Sequence, residues 1–269
     1  MSARLPTFYL SHGGGPWPYL QEEARRPFAR LAESLRELPR QLPERPEAIL
    51  VVSGHWEERD FAVMASAAPP MVYDYGGFPE EMYHIRYPAA GAPQLALRAH
   101  SLIKQANLPV RLDAERGFDH GTYSILAVTH PQADIPVFQV SLQAGYDPET
   151  HLRLGRALAP LRDEGVLIIG SGSSYHNLRR FFGPRVRRED SVQFDAWLRE
   201  TLAASEPRQR TDRLLEWERA PAAREAHPQE DHLMPLHVVV GAAEEEPGQI
   251  AYSQQDFLGT IALSSYRFG

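Results

Sequence analysis

Ala48-Ile49-Leu50-Val51-Val52-Ser53-Gly54-His55-Trp56 is the stretch on which the fold turns. Its apolar run carries β-branched residues at Ile49, Val51 and Val52 and breaks at a small-residue turn. A run of that kind is a strand buried on both faces, which is the habit of parallel sheets. Thr7-Phe8-Tyr9-Leu10 before Ser11-His12-Gly13-Gly14-Gly15, and Val166-Leu167-Ile168-Ile169 before Gly170-Ser171-Gly172, repeat the arrangement. Pro136 to Leu142 alternates more, and Thr260 to Tyr266 reads as a last strand. Helical spacing of apolar residues lies between them: Leu20 to Leu38 (interrupted by Pro27), Ala92 to Gln105, Asp147 to Leu161, Ser191 to Ala203 and Leu233 to Val240. Asp147-Pro148 supplies an N-cap followed by proline in the first turn. Strands alternating with helices predict one α/β domain over residues 1–269. Its central sheet is expected to be largely parallel or mixed, flanked by helices, with any site at the carboxyl ends of the strands. Two segments fall outside this scheme. Tyr73 to Pro93, rich in Gly, Pro and aromatics, is expected to be a long ordered loop. Glu206 to Glu230, polar and charged, is expected to be an insertion or lid.

The composition narrows the function. The 269 residues carry 28 Lys and Arg against 35 Asp and Glu, a net charge of −7, which argues against nucleic acid as a partner. No apolar run approaches the roughly 18–20 residues of a membrane span. Met1 to Pro6 shows no secretion signal, and cysteine is absent, so a cytoplasmic location is expected. Without thiolates, a metal site must use nitrogen and oxygen ligands. No nucleotide cofactor is expected. Gly170-Ser171-Gly172 has Tyr175 where a dinucleotide fingerprint needs its third glycine. No nucleophile elbow or phosphate-binding loop is present.

Histidine is the informative residue type. Of 11, His12, His55 and His176 each follow a predicted strand closely. If those strands are parallel, the three emerge at one rim, where neutral imidazoles can hold a metal ion. A single histidine is more often structural, and His100, His130, His151 and His237 are read that way. Asp119-His120 forms an acid–imidazole pair in sequence, although adjacent residues often point apart. His227-Pro228-Gln229-Glu230-Asp231-His232 packs two imidazoles and two carboxylates together. Helix capping explains Glu230 and Asp231 equally well.

Taken in order, Ser11-His12-Gly13-Gly14, Ser53-Gly54-His55-Trp56, Tyr73-Asp74-Tyr75-Gly76-Gly77-Phe78-Pro79, Tyr87-Pro88-Ala89-Ala90-Gly91-Ala92-Pro93, Gly117-Phe118-Asp119-His120-Gly121, Gly170-Ser171-Gly172, His176-Asn177-Leu178-Arg179 and Glu230-Asp231-His232 resemble the class III extradiol ring-cleavage dioxygenases. The likeness is greatest to their DOPA 4,5-dioxygenase-like branch, and it runs over nearly the whole chain. The resemblance implies a mononuclear non-haem iron(II) site with His12, His55 and His232 as ligands and His176 and His120 as further active-site histidines. The wider superfamily uses a glutamate as third ligand; here His232 stands at that place, with Glu230 as the alternative. A three-histidine site holds iron(II) less tightly, so zinc is expected to compete for it in isolated protein.

The implied reaction opens the ring of a catechol with O2 to give a muconic semialdehyde. His176 is expected to move protons, His120 to hydrogen-bond oxygen and Asp119 to orient an imidazole. Tyr73, Phe78, Tyr83 and Tyr87 are expected to cover the ring, with Arg86 meeting an acidic substituent. The partners are then small molecules, and the resemblance allows a monomer or a homodimer. Two rivals use the same scaffold: a zinc hydrolase, with the metal activating water, and a non-enzymatic binding protein like the Memo-like relatives.

Overall fold

The computed structural model of the protein describes residues 3–181 and 188–269. Its strands are β1 (Thr7–Ser11), β2 (Ala48–Glu58), β3 (Phe61–Met64), β4 (Val110–Asp113), β5 (Val137–Gln143), β6 (Val166–Gly172), β7 (Gly248–Phe257) and β8 (Ile261–Phe268). They form one sheet in the order β4-β3-β5-β2-β6-β1-β8-β7. The expected apolar runs occupy its centre: β5, β2, β6 and β1 are mutually parallel neighbours. Antiparallel pairing of β3 with β5, and of β8 with β1 and β7, makes the whole sheet mixed.

The helices are α1 (Glu22–Arg25), α2 (Ala29–Glu37), α3 (Pro93–Gln105), α4 (His120–Thr129), α5 (Pro148–Leu158), α6 (Leu178–Phe181), α7 (Arg188–Ala203), α8 (Pro207–Leu215), α9 (Ala223–Ala226) and α10 (Met234–Ala242). Side chains alternate faces along a strand, and the central strands use that alternation to hold both layers. Thr7 Oγ1 donates to the Val239 carbonyl on α10, while Ser171 Oγ donates to the Gly121 carbonyl on α4. Helix α10 is buried at every position. It lies against α5 at glycine-permitted distance: a Cβ on Gly155 would stand 2.1 Å from the Val238 carbonyl, and one on Gly241 2.2 Å from that of Leu152. Asp147 caps α5 as its sequence predicts, accepting from the Thr150 N–H at 2.8 Å. Pro27 splits the first helical stretch into α1 and α2, joined by a 3-10 turn at Arg26–Phe28.

Residues 73–92 form a loop, with one 3-10 turn at Glu80–Tyr83, and Pro93 starts α3. The expectation of a lid or insertion at 206–230 is corrected. This segment folds as α8, a turn and α9, with Leu214, Trp217, Ala223 and Ala226 buried. The fully buried Arg210 donates to the Ala204 and Glu244 carbonyls. Such apolar anchoring and a desolvated cation bound to backbone fix the segment in the body of the domain. No helix among the described residues is long and apolar enough to cross a membrane.

The structural histidines give the fold a predictable pH response. His151 donates from Nδ1 to the Asp147 carbonyl and accepts the Gln143 N–H at Nε2, so it is neutral. Burial pushes His130, His151 and His227 from 6.5 down to about 4, about 4 and about 3. The unfolded chain therefore binds more protons between about pH 6.5 and about pH 4, and stability is lost as pH is lowered through that window. The urea midpoint is expected to drop between about pH 7.5 and about pH 5; an unchanged or rising midpoint contradicts this assignment of neutral rings.

Candidate active site

Because β2, β6 and β1 are parallel neighbours, their carboxyl ends share one edge, and the sequence places a histidine at each. His12 directly follows β1, with its N–H on the Gly172 carbonyl (3.1 Å). His55 lies near the end of β2, where the β2–β5 register jumps from Val52↔Val140 to Glu57↔Leu142. Five steps along β2 thus face two along β5, and residues 53–56 leave the pairing with β5. His176 follows β6 and donates its N–H to Ala226.

His232 arrives from the turn before α10. Its carbonyl accepts the Tyr9 hydroxyl (2.7 Å) and the Ser173 N–H (3.1 Å). The approach is close enough to require glycine at 172, where a Cβ would stand 2.1 Å from that carbonyl. His120 is the first residue of α4, whose N-cap is Asp119.

The structure brings all five predicted histidines together. The His12 ring centroid is 4.9 Å from that of His55, 5.2 Å from His120 and 5.1 Å from His232. His55 and His120 are 3.9 Å apart, and His176 stacks on His232 at 3.3 Å and 11°. One ring nitrogen from each of His12, His55 and His232 falls within a 4.8 Å group.

Two observations fit these three side chains to a divalent ion. First, both ring nitrogens of His12 are buried without a hydrogen-bond partner, a costly arrangement unless something else binds them. Second, His55 Nε2 and His232 Nε2 stand 3.1 Å apart. Nitrogens about 2.1 Å from a common ion, at an angle near 95°, are separated by about 3.1 Å.

Electrostatics agree with that fit. Burial, followed by the neighbouring imidazoles, holds His12 and His55 well below the ordinary histidine value. The rings are therefore neutral, as metal ligands must be. Burial also lowers His176, with His232 the next cause.

Several expected roles move to other residues. Asp119 does not orient an imidazole. As an N-cap its carboxylate turns back to the Thr122 N–H (3.0 Å), Ser53 Oγ (2.8 Å), Gln139 Nε2 (2.9 Å) and Arg116 (2.6 Å). The orienting carboxylate is Asp74, from the aromatic loop. Its Oδ1 meets His120 Nδ1 at 2.9 Å and the His120 N–H at 3.0 Å, and its Oδ2 lies 3.3 Å from His55 Nδ1. Burial alone would raise the Asp74 carboxyl, but hydrogen bonding and charge from His120 leave it below its ordinary value. Asp231 lies on the far side, 3.0 Å from His232 Nδ1 and 3.8 Å from His176 Nδ1, and accepts the His232 backbone N–H at 2.9 Å.

Glu230, the alternative third ligand, instead pairs with Arg224 at 2.7 Å. The aromatic loop supplies Tyr75, whose ring meets His120 edge-on at 5.9 Å. Tyr73 and Tyr83 pack around Tyr75, at 6.3 and 5.5 Å, and Phe78 lies 5.3 Å from it. Tyr87 is corrected: it is buried against Phe118, with its hydroxyl on the His130 carbonyl (2.9 Å). Arg86 is exposed, and forms no ion pair among the described residues.

Known proteins resemble this chain along nearly its whole length. Residues 5–269 match the family model described as the catalytic LigB subunit of aromatic ring-opening dioxygenase. A 4,5-DOPA dioxygenase extradiol of Beta vulgaris is 37% identical over 269 residues, covering 97% of this chain and 96% of that protein. A protein of the same name from Escherichia coli strain K12 is 35% identical over 272 residues, covering 100% and 96%. The crystal structure of an uncharacterized Escherichia coli K12 protein superposes with a TM-score of 0.79 at 32% identity, covering 99% of this chain and all of the other. With a family match across almost its entire length and close relatives so named, the chain belongs to the LigB family and is an extradiol aromatic ring-opening dioxygenase.

Proposed function

We propose that this enzyme opens the ring of a catechol-type, DOPA-like substrate with O2, giving a muconic semialdehyde, and that iron(II) is its working metal. His12, His55 and His232 are the residues that would hold the ion. The observation that carries this proposal is the grouping of the His12, His55 and His232 imidazoles, two of them 3.1 Å apart, with two further histidines against them. Iron(II), when bound, would lower the pKa of the diol and leave room for both substrate oxygens and O2 beside three protein ligands.

The chain's own residues then perform proton transfer and orientation. His176 is kept neutral by burial, the form that accepts a proton from a catechol hydroxyl and can later return it. His120, its Nδ1 committed to Asp74, has Nε2 to offer to oxygen, a polar contact fixed before the reaction begins. Tyr75 supplies an aromatic wall beside that contact. The names of the relatives from Beta vulgaris and Escherichia coli support a 4-substituted catechol.

The test is anaerobic reconstitution of apoprotein with iron(II) or zinc, followed by 4-substituted catechols and air. A yellow ring-opened product from the iron form alone is expected. Ester or amide hydrolysis by the zinc form, without ring opening by the iron form, would overturn the proposal in favour of a hydrolase.

A further inference from the structure

Two carboxylates each span one candidate ligand and one candidate proton-transfer ring. Asp74 lies between His55 Nδ1 (3.3 Å) and His120 Nδ1 (2.9 Å), and Asp231 between His232 Nδ1 (3.0 Å) and His176 Nδ1 (3.8 Å). Asp74 comes from the aromatic loop and Asp231 from the turn before α10, so the two halves of the arrangement arise from unrelated parts of the chain. The side chains are only 18% and 19% exposed. Neither pairs with Arg or Lys among the described residues. Their neighbours differ: Asp119 is paired with Arg116 at 2.6 Å and Glu230 with Arg224 at 2.7 Å.

Sparingly solvated carboxylates are costly without a positive partner. Each stands at the Nδ1 side of a candidate ligand ring, and the Nε2 atoms of those two rings, His55 and His232, face each other 3.1 Å apart. Three neutral imidazoles leave a divalent ion with its full charge of +2; a carboxylate among the ligands would remove part of it. Here two carboxylates stand behind the rings, and together they cancel it.

We propose that Asp74 and Asp231 are positioning residues that supply, from behind the imidazoles of His55 and His232, the anionic charge a three-histidine centre lacks, while Asp74 also fixes the ring of His120 beside it. This rests on the assignment of His12, His55 and His232 as the metal ligands. A carboxylate behind a ligating imidazole sets the ring's orientation and raises its basicity as a donor. Asp74 also hydrogen-bonds the His120 ring, so on that side the charge that holds the ion and the group that meets oxygen share a support.

The experiment compares Asp74→Asn, Asp231→Asn and the double variant with wild type. Zinc affinity is measured on apoprotein by competition with a chromophoric chelator, and the midpoint potential on the iron form. Asparagine keeps the size and one acceptor oxygen, so a merely structural role would leave both quantities unchanged. Each single variant is expected to bind zinc about 10–100-fold more weakly and the double variant more weakly still. The iron potential is expected to rise, because loss of a negative charge disfavours the ferric state. Wild-type affinity and potential in both single variants would overturn the proposal. If Asp74→Asn fails to fold because the His120 N–H is disturbed, Asp231→Asn decides alone; its hydrogen bond to backbone is to the adjacent His232 N–H. Wild-type apoprotein that binds no zinc would instead refute the ligand assignment beneath it.

Discussion

Replacing His232 with alanine is expected to strip the divalent ion from the enzyme and reduce ring cleavage to background. Its Nε2 lies 3.1 Å from that of His55, so its loss removes one side of the ligand set and leaves Asp231 facing empty space. Loss of a partner behind a ligand typically costs 10–100-fold in metal affinity, and loss of the ligand itself should exceed about 100-fold. The fold should survive. The contacts that anchor this turn are made by the His232 carbonyl with Tyr9 and Ser173, and alanine retains it. Metal content after gel filtration and turnover of a 4-substituted catechol check the expectation together. One retained ion per chain with near wild-type turnover would show that His232 is not a ligand.

His176→Ala is expected to do the opposite with the metal and the same with turnover. The ring touches the site through its stack on His232 and is held in place by its backbone N–H on the Ala226 carbonyl. Its removal therefore leaves the three candidate ligands intact. A positioned proton-transfer group contributes about 10²–10⁴-fold, or about 2.7–5.5 kcal/mol of barrier. The variant should bind one ion per chain and show kcat reduced by that factor. The discriminating result is metal retained and turnover lost. Turnover within a few-fold of wild type would remove His176 from the proton-transfer role.

The contrast between what the sequence revealed and what it concealed has physical causes. Strands β1, β2 and β6 were legible because burial on both faces demands unbroken apolar runs, and their carboxyl ends carried the histidines directly. Edge strand β7 was not, because Gly248–Phe257 is half exposed and spells Gln, Ser and Gln where a central strand spells Val and Ile. Helix α4 is buried at nearly every position and so lacks the polar face that reveals helical period. The candidate metal-binding histidines could be named from the ordered motifs, but the carboxylates beside them could not. Asp119 precedes His120 in sequence, yet a helix start sends the two side chains apart. Asp74 sits 46 residues from His120 and is joined to it only by the fold. Its single hint was a lone acid inside the aromatic, glycine-rich run Tyr73-Asp74-Tyr75-Gly76-Gly77. Tyr87 shows the same limit: an aromatic in that loop lines the core as readily as a pocket.

The most direct test is a crystal structure of the protein soaked anaerobically with iron(II), with anomalous data at the iron edge. One ion about 2.0–2.2 Å from a ring nitrogen of each of His12, His55 and His232 is predicted, with His120 and His176 close but unbound and positions left open for substrate. An ion held instead by His55, Asp74 and His120, or by His176, Asp231 and His232, or one whose coordination is filled entirely by protein atoms, would contradict it.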